Sequence, residues 1–332
     1  MQSPSISICI PTRNRKDLLT ECLESIFNQS TIPDEILVVD GSSNDETKNY
    51  INELQEIYPF LVYKSQEDNN GIAGGVVKAI KEANSNFCWM LSDDDMLEDN
   101  SVSNVIHFLK KEKDLSGLSI GYKFYDKTMS YRIKNMPPSR NINLPNQVMF
   151  NSIDSTFEEI GHHLGFLSGQ ILNKKFCENI FDNNNLDKFM TPWIITNIIG
   201  LMLQKNSNWA FLNLPLVKYR SGNDSFLENG VYRRQLITHE ELRNTFLNFF
   251  NEESKTFKIL ISTLVNKRMP RALAVIKANN VSNEELFLIL KLYLKYYSRY
   301  FGFWFKVFPI FLVPGSLINF VRYIYNMYRK NR

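Results

Sequence analysis

The chain has 332 residues, 44% of them hydrophobic and 22% charged, with a formal net charge of +3. Such length and apolar content exclude a disordered chain and leave room for more than one substructure. The net charge is too small to point to nucleic acid, and no nucleic-acid partner is expected. Cys9, Cys22, Cys88 and Cys177 form no CxxC pair and show no His/Cys ligand spacing, so neither a disulfide framework nor a structural zinc site is expected. Met1–Ser5 is polar and leads into a strand, so no signal peptide is expected and a reducing, cytosolic setting is.

In chain order, Ser5–Ile10 (SISICI) alternates as a strand and Thr12–Arg15 follows as a loop. Lys16–Asn28 places Leu18, Leu19, Cys22, Leu23 and Ile26 on one helical face. Glu35–Asp40 (EILVVD) reads as a buried strand with an acid at its tip, followed by a turn over Gly41, Ser42, Ser43 and Asn44. A helix carrying Tyr50, Ile51, Leu54, Ile57 and Tyr58 precedes a short strand, Leu61–Lys64. Gly71–Asn84 opens with glycines and becomes helical, Phe87–Leu91 is a buried strand, and Val102, Val105, Ile106 and Leu109 mark another helix before the strand Leu118–Phe124. Strands and helices in this alternation predict an α/β fold with a doubly wound, mostly parallel sheet. Right-handed crossovers would bring Pro11–Thr12, Asp40 and Asp93–Asp95 to one edge.

The stretch Phe87–Glu98 (FCWMLSDDDMLE) organises the rest. Three acids at a strand tip repel one another unless a cation or hydrogen-bond donors gather there. Ligands of open α/β sheets bind beyond the strand carboxyl ends, and Mg²⁺ or Mn²⁺ favours such oxygens. A metal–diphosphate site is one reading; a solvated acidic turn before the next helix is the other.

IPTRNR at Ile10–Arg15, VVDGSSNDET at Val38–Thr47 and LSDDDML at Leu91–Leu97 resemble, in order, spacing and strand context, the inverting-type family 2 glycosyltransferases with a GT-A fold. The resemblance covers about the first 125 residues. It implies a nucleotide-sugar donor, an acceptor hydroxyl and a divalent metal, Mn²⁺ or Mg²⁺. By that match Pro11, Thr12, Arg13 and Asp40 would line the nucleoside pocket, Asp93 would reach ribose or metal, and Asp94 or Asp95 the metal. The Asp-x-Asp register is ambiguous, so all three acids are candidates. Gly71, Gly74 and Gly75 permit close backbone approach to a donor, or merely a tight helix start. Where the family has a basic residue in this helix, Lys78 is the substitute on offer.

Pro137–Asn151 reads as a polar loop. In IGHHLGFLSGQILNKKF, Phe166–Leu172 resembles the Gly/Ser-rich strand that borders donor sugar and acceptor in the family. His162 and His163 are candidates for ligands, acid–base groups or acceptor contacts, against the ordinary alternative of hydrogen-bonded bystanders. The family's acceptor-side Glu-Asp pair is missing from Asp187–Trp193 (DKFMTPW). Inversion needs a carboxylate base at the acceptor hydroxyl, for which Asp187 stands first and Asp154, Glu158 and Glu159 follow. Retention would need none in that place. In YRSGNDSF (Tyr219–Phe226), Arg220 is a candidate phosphate clamp, with a surface turn arginine as the alternative.

From Leu227 the pattern is helical: Leu236–Phe250, Phe257–Val265, Met269–Asn279, then a helix start at Val281–Glu285. After Glu285 there is no acidic residue, whereas eight basic ones (Lys291, Lys295, Arg299, Lys306, Arg322, Arg329, Lys330 and Arg332) alternate with aromatics. Lys291, Lys295 and Arg299 share a helical face, as in helices that lie in a membrane interface. A spanning helix is disfavoured, since Val307–Val321 is 15 residues with Pro309 and Pro314 inside it. The alternatives are a core helix pair or a dimer interface. The expected domains are therefore a GT-A catalytic domain over 1–226, with a nucleotide-sugar half (1–125) and an acceptor half (126–226), and a membrane-associating helical region over 227–332.

The whole-chain layout is similar to bacterial O-antigen sugar transferases, including those handling dideoxyhexoses such as abequose. That resemblance implies a lipid-linked oligosaccharide acceptor, in O-antigen or other surface polysaccharide synthesis, at the cytoplasmic face of the inner membrane; a homo-oligomer is compatible with it. Two rivals stand beside this reading. A sugar-phosphate nucleotidyltransferase shares the sheet but would need the glycine-rich GxGxRxxP loop, which is missing, and a non-catalytic nucleotide-sugar-binding scaffold would explain the missing Glu-Asp pair.

Overall fold

The computed structural model describes residues 3–42, 44–67, 71–112, 114–133, 144–183 and 186–330. Ser43 of the expected turn, residues 137–143 of the expected loop and Arg332 of the tail lie outside them. The chain divides into two compact units, Met1–Asn223 and Asp224–Arg332.

In the first unit the elements run β1 (Ile6–Thr12), α1 (Lys16–Phe27), β2 (Glu35–Asp40), α2 (Glu46–Gln55), β3 (Leu61–Ser65), α3 (Gly71–Glu82), β4 (Phe87–Met90), β5 (Met96–Leu97), α4 (Ser101–Lys111), β6 (Gly117–Tyr125), β7 (Gln147–Phe150), α5 (Ile153–Ile160), β8 (Gln170–Asn173), α6 (Lys174–Asn183), α7 (Ile194–Lys205) and β9 (Trp209–Arg220). They build one sheet in the order β3-β2-β1-β4-β8-β6-β9-β5, with β7 paired to β9. The strands β3, β2, β1 and β4 are parallel, β8 is antiparallel between β4 and β6, and β6 and β9 are parallel to each other. This is the expected α/β class: a mixed, GT-A-like sheet flanked by helices and followed by a helical region.

Helices on both faces explain why β2 is buried at every position and reads as an unbroken apolar run. All four cysteines are free and buried; Cys9 and Cys88 fill core positions on adjacent strands. β1 runs through Pro11 to Thr12, beyond the expected end at Ile10, because Pro11 and Thr12 still pair with Val39 and Asp40.

Two segments depart from the sequence expectation. Gln147–Phe150, inside the expected loop, is an edge strand on the first half of β9; four residues are too few to display a period. Phe166–Leu172, expected as a strand, opens with a 3-10 turn at Leu167–Gly169 and pairs only from Gln170. The Gln170 amide group closes that turn by donating to the carbonyls of His163 (3.1 Å) and Phe166 (3.0 Å).

The long strand β9 changes partners midway. Its register with β6 shifts around Gly121, opposite Pro215, and its second half carries β5 through Met96↔Lys218 and Leu97↔Val217. A bulge of this kind re-aims a strand near a site. The acid turn Ser92–Asp95 thus runs from β4, held between β1 and β8, to β5, held by the second half of β9.

The second unit is helical. A 3-10 turn at Ser225–Asn229 leads to α8 (Val231–Leu236) and α9 (Leu242–Leu247), joined by a π turn at Ile237–Glu241, and then to α10 (Lys255–Thr263), α11 (Met269–Ala278), α12 (Asn283–Tyr297), α13 (Phe308–Leu312) and α14 (Gly315–Lys330). Ser282 caps α12 by accepting from the Glu285 amide, as its position before two glutamates suggests. The core holds Phe246, Phe257, Leu260, Tyr293 and Tyr297. Tyr293 donates to Gln235 (2.7 Å), and Tyr297 donates to the His239 carbonyl (3.0 Å). Lys295 pairs with Glu240 (3.5 Å), Arg299 pairs with Glu252 (2.6 Å), and Lys291 lies over the Phe287 ring. Two of the three cations expected to share an open face are thus neutralised within their own unit. Among the described residues no single helix is long and apolar enough to cross a membrane; Phe303–Leu312 and Gly315–Ile324 meet instead at 105°.

The more tightly enclosed of the two glycines in β6 is Gly117, where an added Cβ would collide with the Trp209 ring and lie 2.7 Å from the Ile171 carbonyl. Gly117→Ala is expected to cost about 1–3 kcal/mol through overpacking. Urea unfolding should show a lower midpoint at unchanged slope.

Candidate active site

The sheet order reverses at β1, which has β2 on one side and β4 on the other. The carboxyl end of such a switch point opens a crevice. Three sequence-marked tips meet there. Thr12, the last residue of β1, pairs in register with Asp40, the last of β2. The Thr12 hydroxyl donates to Asp93 Oδ2 at 2.8 Å, closing the gap to the turn after β4. Asp40, 3% exposed, accepts from the Ser42 amide at Oδ1 (2.8 Å) and from the Tyr63 hydroxyl at Oδ2 (3.1 Å). Partial burial and that carboxylate push the Tyr63 pKa up to about 12.

Each acid of the triplet has its own environment. Asp93 accepts from Thr12 and from Arg15, whose guanidinium reaches Oδ1 at 2.8 Å. Asp94 accepts from the Ser92 hydroxyl (2.6 Å) and the Asn223 amide group (2.7 Å), with Arg15 again at 3.4 Å. Asp95, 2% exposed, is turned inward to the Ser168 hydroxyl (2.6 Å) and the Arg220 backbone N–H (2.9 Å). Gly222 permits the Asn223 contact: at φ +84 it takes the left-handed conformation that reverses the chain after β9.

Burial dominates the electrostatics. Desolvation pushes the Asp93 pKa up to about 6 against the opposing pull of the Arg15 guanidinium, with the Asp94 charge adding to the rise. Asp95 is raised well above the ordinary carboxylate range, first by burial and then by Asp94, while Ser168 and Arg220 hold it back. Asp94 is the most open of the three, and Arg15 remains 26% exposed beside it.

The other candidates fall elsewhere. Arg220 is an internal brace: Nε donates to the Asp94 carbonyl (2.8 Å), one terminal nitrogen to the Lys127 carbonyl (2.8 Å) and the other to Glu21 (2.6 Å). Its side chain is buried, which leaves no open face for the phosphate clamp read from the sequence. His163 is a core residue: Nε2 donates to the Ile120 carbonyl (2.9 Å), and the ring stacks on Tyr122 and meets Phe211 edge-on. His162 is half-buried beside it, in the turn between α5 and the 3-10 turn. Asp187 is exposed at the start of a 3-10 turn before α7 and is not among the partners of Asp93–Asp95. Pro11 is half-buried and Arg13 exposed at the end of β1. Gly74 is half-buried in α3, and its neighbour Gly75 makes the close approach, an added Cβ lying 3.1 Å from Pro11 Cβ. Lys78 donates to the Ser65 carbonyl at the end of β3 (2.5 Å).

Sequence reasoning missed Arg15, Ser168 and Asn223. Arg15 stood inside the IPTRNR motif, but nothing in its spacing marked it as the cation on the triplet. Ser168 and Asn223 lie inside segments that the sequence did mark, Phe166–Leu172 and Tyr219–Phe226, but nothing in those segments singled out either residue as a partner of the acids.

Among the described residues no group of three or more His, Cys, Asp or Glu is arranged to hold a metal ion. Carboxylate oxygens at a crevice nonetheless suit a hard divalent ion, which typically takes one or two carboxylates and completes its shell with substrate phosphates. Asp94, the most exposed acid of the three, fits that pattern best, although Ser92 donates to one of its oxygens and Asn223 to the other.

The sequence profile of Glycosyl transferase family 2 matches residues 7–181, from β1 into α6. The chain belongs to that family. As a family 2 member it is a nucleotide-sugar-dependent glycosyltransferase at the level of class. Over 278 residues it is 26% identical to Abequosyltransferase RfbV of Salmonella typhimurium, covering 79% of this chain and 80% of the relative. A β-1,3-glucosyltransferase of Campylobacter jejuni that acts on GalNAc(5)-diNAcBac-PP-undecaprenol is 33% identical over 104 residues, 31% of this chain and 34% of that protein. Among solved structures, S. aureus TarS 1-349 aligns with a TM-score of 0.59 at 16% identity, covering 99% of this chain and 92% of that one. The mannosyltransferase PcManGT of Pyrobaculum calidifontis, solved with GDP-Man and Mn²⁺, aligns at 0.57 and 14% over 96% and 88%. At these identities the two structures speak for the fold.

Asp93 gives a signed pH prediction. The unfolded chain releases this proton near pH 4 and the folded chain near 6, so the folded state holds more protons between them. Its contribution is present below about pH 4 and is lost as pH rises through about 6. In EDTA, Asp93→Asn should flatten that fall and raise stability at pH 7 by up to about 3 kcal/mol, because each pH unit between those two values is worth about 1.4 kcal/mol. Urea titrations at pH 4, 6 and 7 measure it. Arg220→Lys, which cannot span three acceptors, should cost about 2–3 kcal/mol.

Proposed function

We propose that the chain transfers a sugar from a nucleotide-sugar donor to a hydroxyl of a lipid-linked oligosaccharide, in the synthesis of O-antigen or another bacterial surface polysaccharide. The observation that carries this reading is the meeting of Thr12, Asp40 and the acid turn at the carboxyl edge of the switch point. The similarity to an abequosyltransferase along most of both chains supports the substrate class.

In this reading Asp40, Pro11, Thr12 and Arg13 line the nucleoside end, and the turn Asp93–Asp95 lies at the diphosphate with Asp94 as its open acid and Asp95 turned inward. A divalent ion, Mn²⁺ or Mg²⁺, would be held by the triplet with Asp94 as its most open carboxylate; when bound it stabilises, as a Lewis acid, the negative charge of the departing diphosphate. Arg15 lends a second positive charge beside that group. Thr12 and Ser168 keep Asp93 and Asp95 oriented, so the turn need not reorganise as charge develops. If the reaction inverts, a carboxylate takes the proton of the acceptor hydroxyl, and Asp187 is the proposed base. In this reading the enzyme works at the cytoplasmic face of the inner membrane, with the C-terminal helices on the bilayer surface that holds the lipid-linked acceptor.

Donor turnover tests the site. Asp94→Ala should abolish release of nucleoside diphosphate that depends on added Mn²⁺ or Mg²⁺ while the thermal midpoint stays within a few degrees. Unchanged turnover in that variant and in EDTA would remove the metal from the account. For the base, Asp187→Asn should lower transfer by roughly two to four orders of magnitude with donor binding intact. A retained anomeric linkage, read by NMR of the product, would eliminate Asp187 from that role.

A further inference from the structure

The C-terminal end of the chain carries an amphipathic pattern turned outward. On α14, Leu317, Phe320, Val321 and Ile324 follow the i, i+3, i+4, i+7 spacing that ordinarily faces a core. All four are exposed, Phe320 at 58%. Ahead of the bend, Phe301, Phe305 and Leu312 are 65–75% exposed and Trp304 is 43% exposed.

The bend itself is built. Lys277 donates through Nζ to the carbonyls of Ile310 (3.1 Å) and Phe311 (2.7 Å), closing the end of α13. Gly315 lies so near the Lys277 carbonyl that an added Cβ would sit 2.5 Å from it. Asn319 donates to the Ala278 carbonyl (2.9 Å), tying the first turns of α14 to α11. Two apolar helices are thereby held at 105° to each other.

The charge carried by this segment itself has one sign. No acidic residue follows Glu285, and Lys306 and Arg322 are exposed on the same two segments. Exposed Trp304 and Tyr323 are residue types that settle at a headgroup boundary.

We propose that the bent pair 301–324 is an interfacial anchor that sinks its apolar row into the outer hydrocarbon of an anionic bilayer while its cations meet the headgroups. This rests on the membrane reading above and moves the contact from the cation row of α12, partly spent on Glu240 and Glu252, to residues 301–312 and α14.

The test is flotation of the full chain with phosphatidylcholine vesicles, with and without roughly a third phosphatidylglycerol. Wild type should bind the anionic vesicles, and Leu317→Ser/Phe320→Ser/Ile324→Ser should bind about tenfold more weakly. Lys306→Glu/Arg322→Glu should lose only the preference for anionic lipid. Brominated lipid should quench Trp304 in the wild type, a readout that needs no variant in the stripe. Equal binding of the triple variant, no binding of the wild type, or wild-type dimerisation abolished by the triple variant without vesicle binding would each overturn the proposal. Donor hydrolysis without lipid is read on the same proteins. It should match wild type in both variants, and its absence in wild type itself would count against the transferase reading alone.

Discussion

Two carboxylates, Asp93 and Asp95, are 3% and 2% exposed within one turn of chain. Removing such groups from water costs several kcal/mol each unless donors or cations replace the lost hydration. Here the replacements come from separated segments: Thr12 from β1, Arg15 from the start of α1, Ser168 from the turn before β8, and the Arg220 amide from the end of β9. Satisfying these two acids therefore requires much of the first unit's topology. Pairing of β5 with the second half of β9 brings the Arg220 amide to Asp95. Antiparallel β8 presents Ser168, which also accepts from the Ser92 amide (3.0 Å).

Glu35 offers an internal comparison. It is 6% exposed at the amino end of β2, where Ser7 (2.5 Å) and Asn84 (2.7 and 2.9 Å) donate to it. Neutral donors hold that acid at the edge away from the switch point, and it reads as structural. At the carboxyl edge the donors are shared with two arginines, and the Asp93 pKa is pushed up to about 6. Such a site stores destabilisation that a ligand can relieve, which is the usual trade between stability and activity.

The tips of β1, β2 and β4 are legible in the sequence because parallel, doubly covered strands appear as short apolar runs and end abruptly in polar residues. Their convergence follows from βαβ alternation. Strand direction is less legible: QILN looks alike whether it runs parallel or antiparallel, and QVMF is too short to show a period. Residue roles follow the same divide. Arg220 stands in a promising motif, yet three acceptors within the fold take its guanidinium. His163 carries a reactive ring, yet a carbonyl and two aromatic faces enclose it. Long-range partners, unlike local pattern, leave no mark at fixed spacing. In the helical unit the one-sided charge is plain in the sequence, but the pairing of Lys295 and Arg299 with Glu240 and Glu252 depends on tertiary packing.

The central claim is that the carboxyl edge of the switch point binds a nucleoside diphosphate together with a divalent ion. Calorimetric titration of the common nucleoside diphosphates, in Mn²⁺ and in EDTA, tests it most directly. At least one should bind wild type about tenfold more tightly with Mn²⁺, a difference of about 1.4 kcal/mol, and Asp94→Asn should remove that enhancement. No binding in Mn²⁺, or equal affinity in EDTA, would contradict the account.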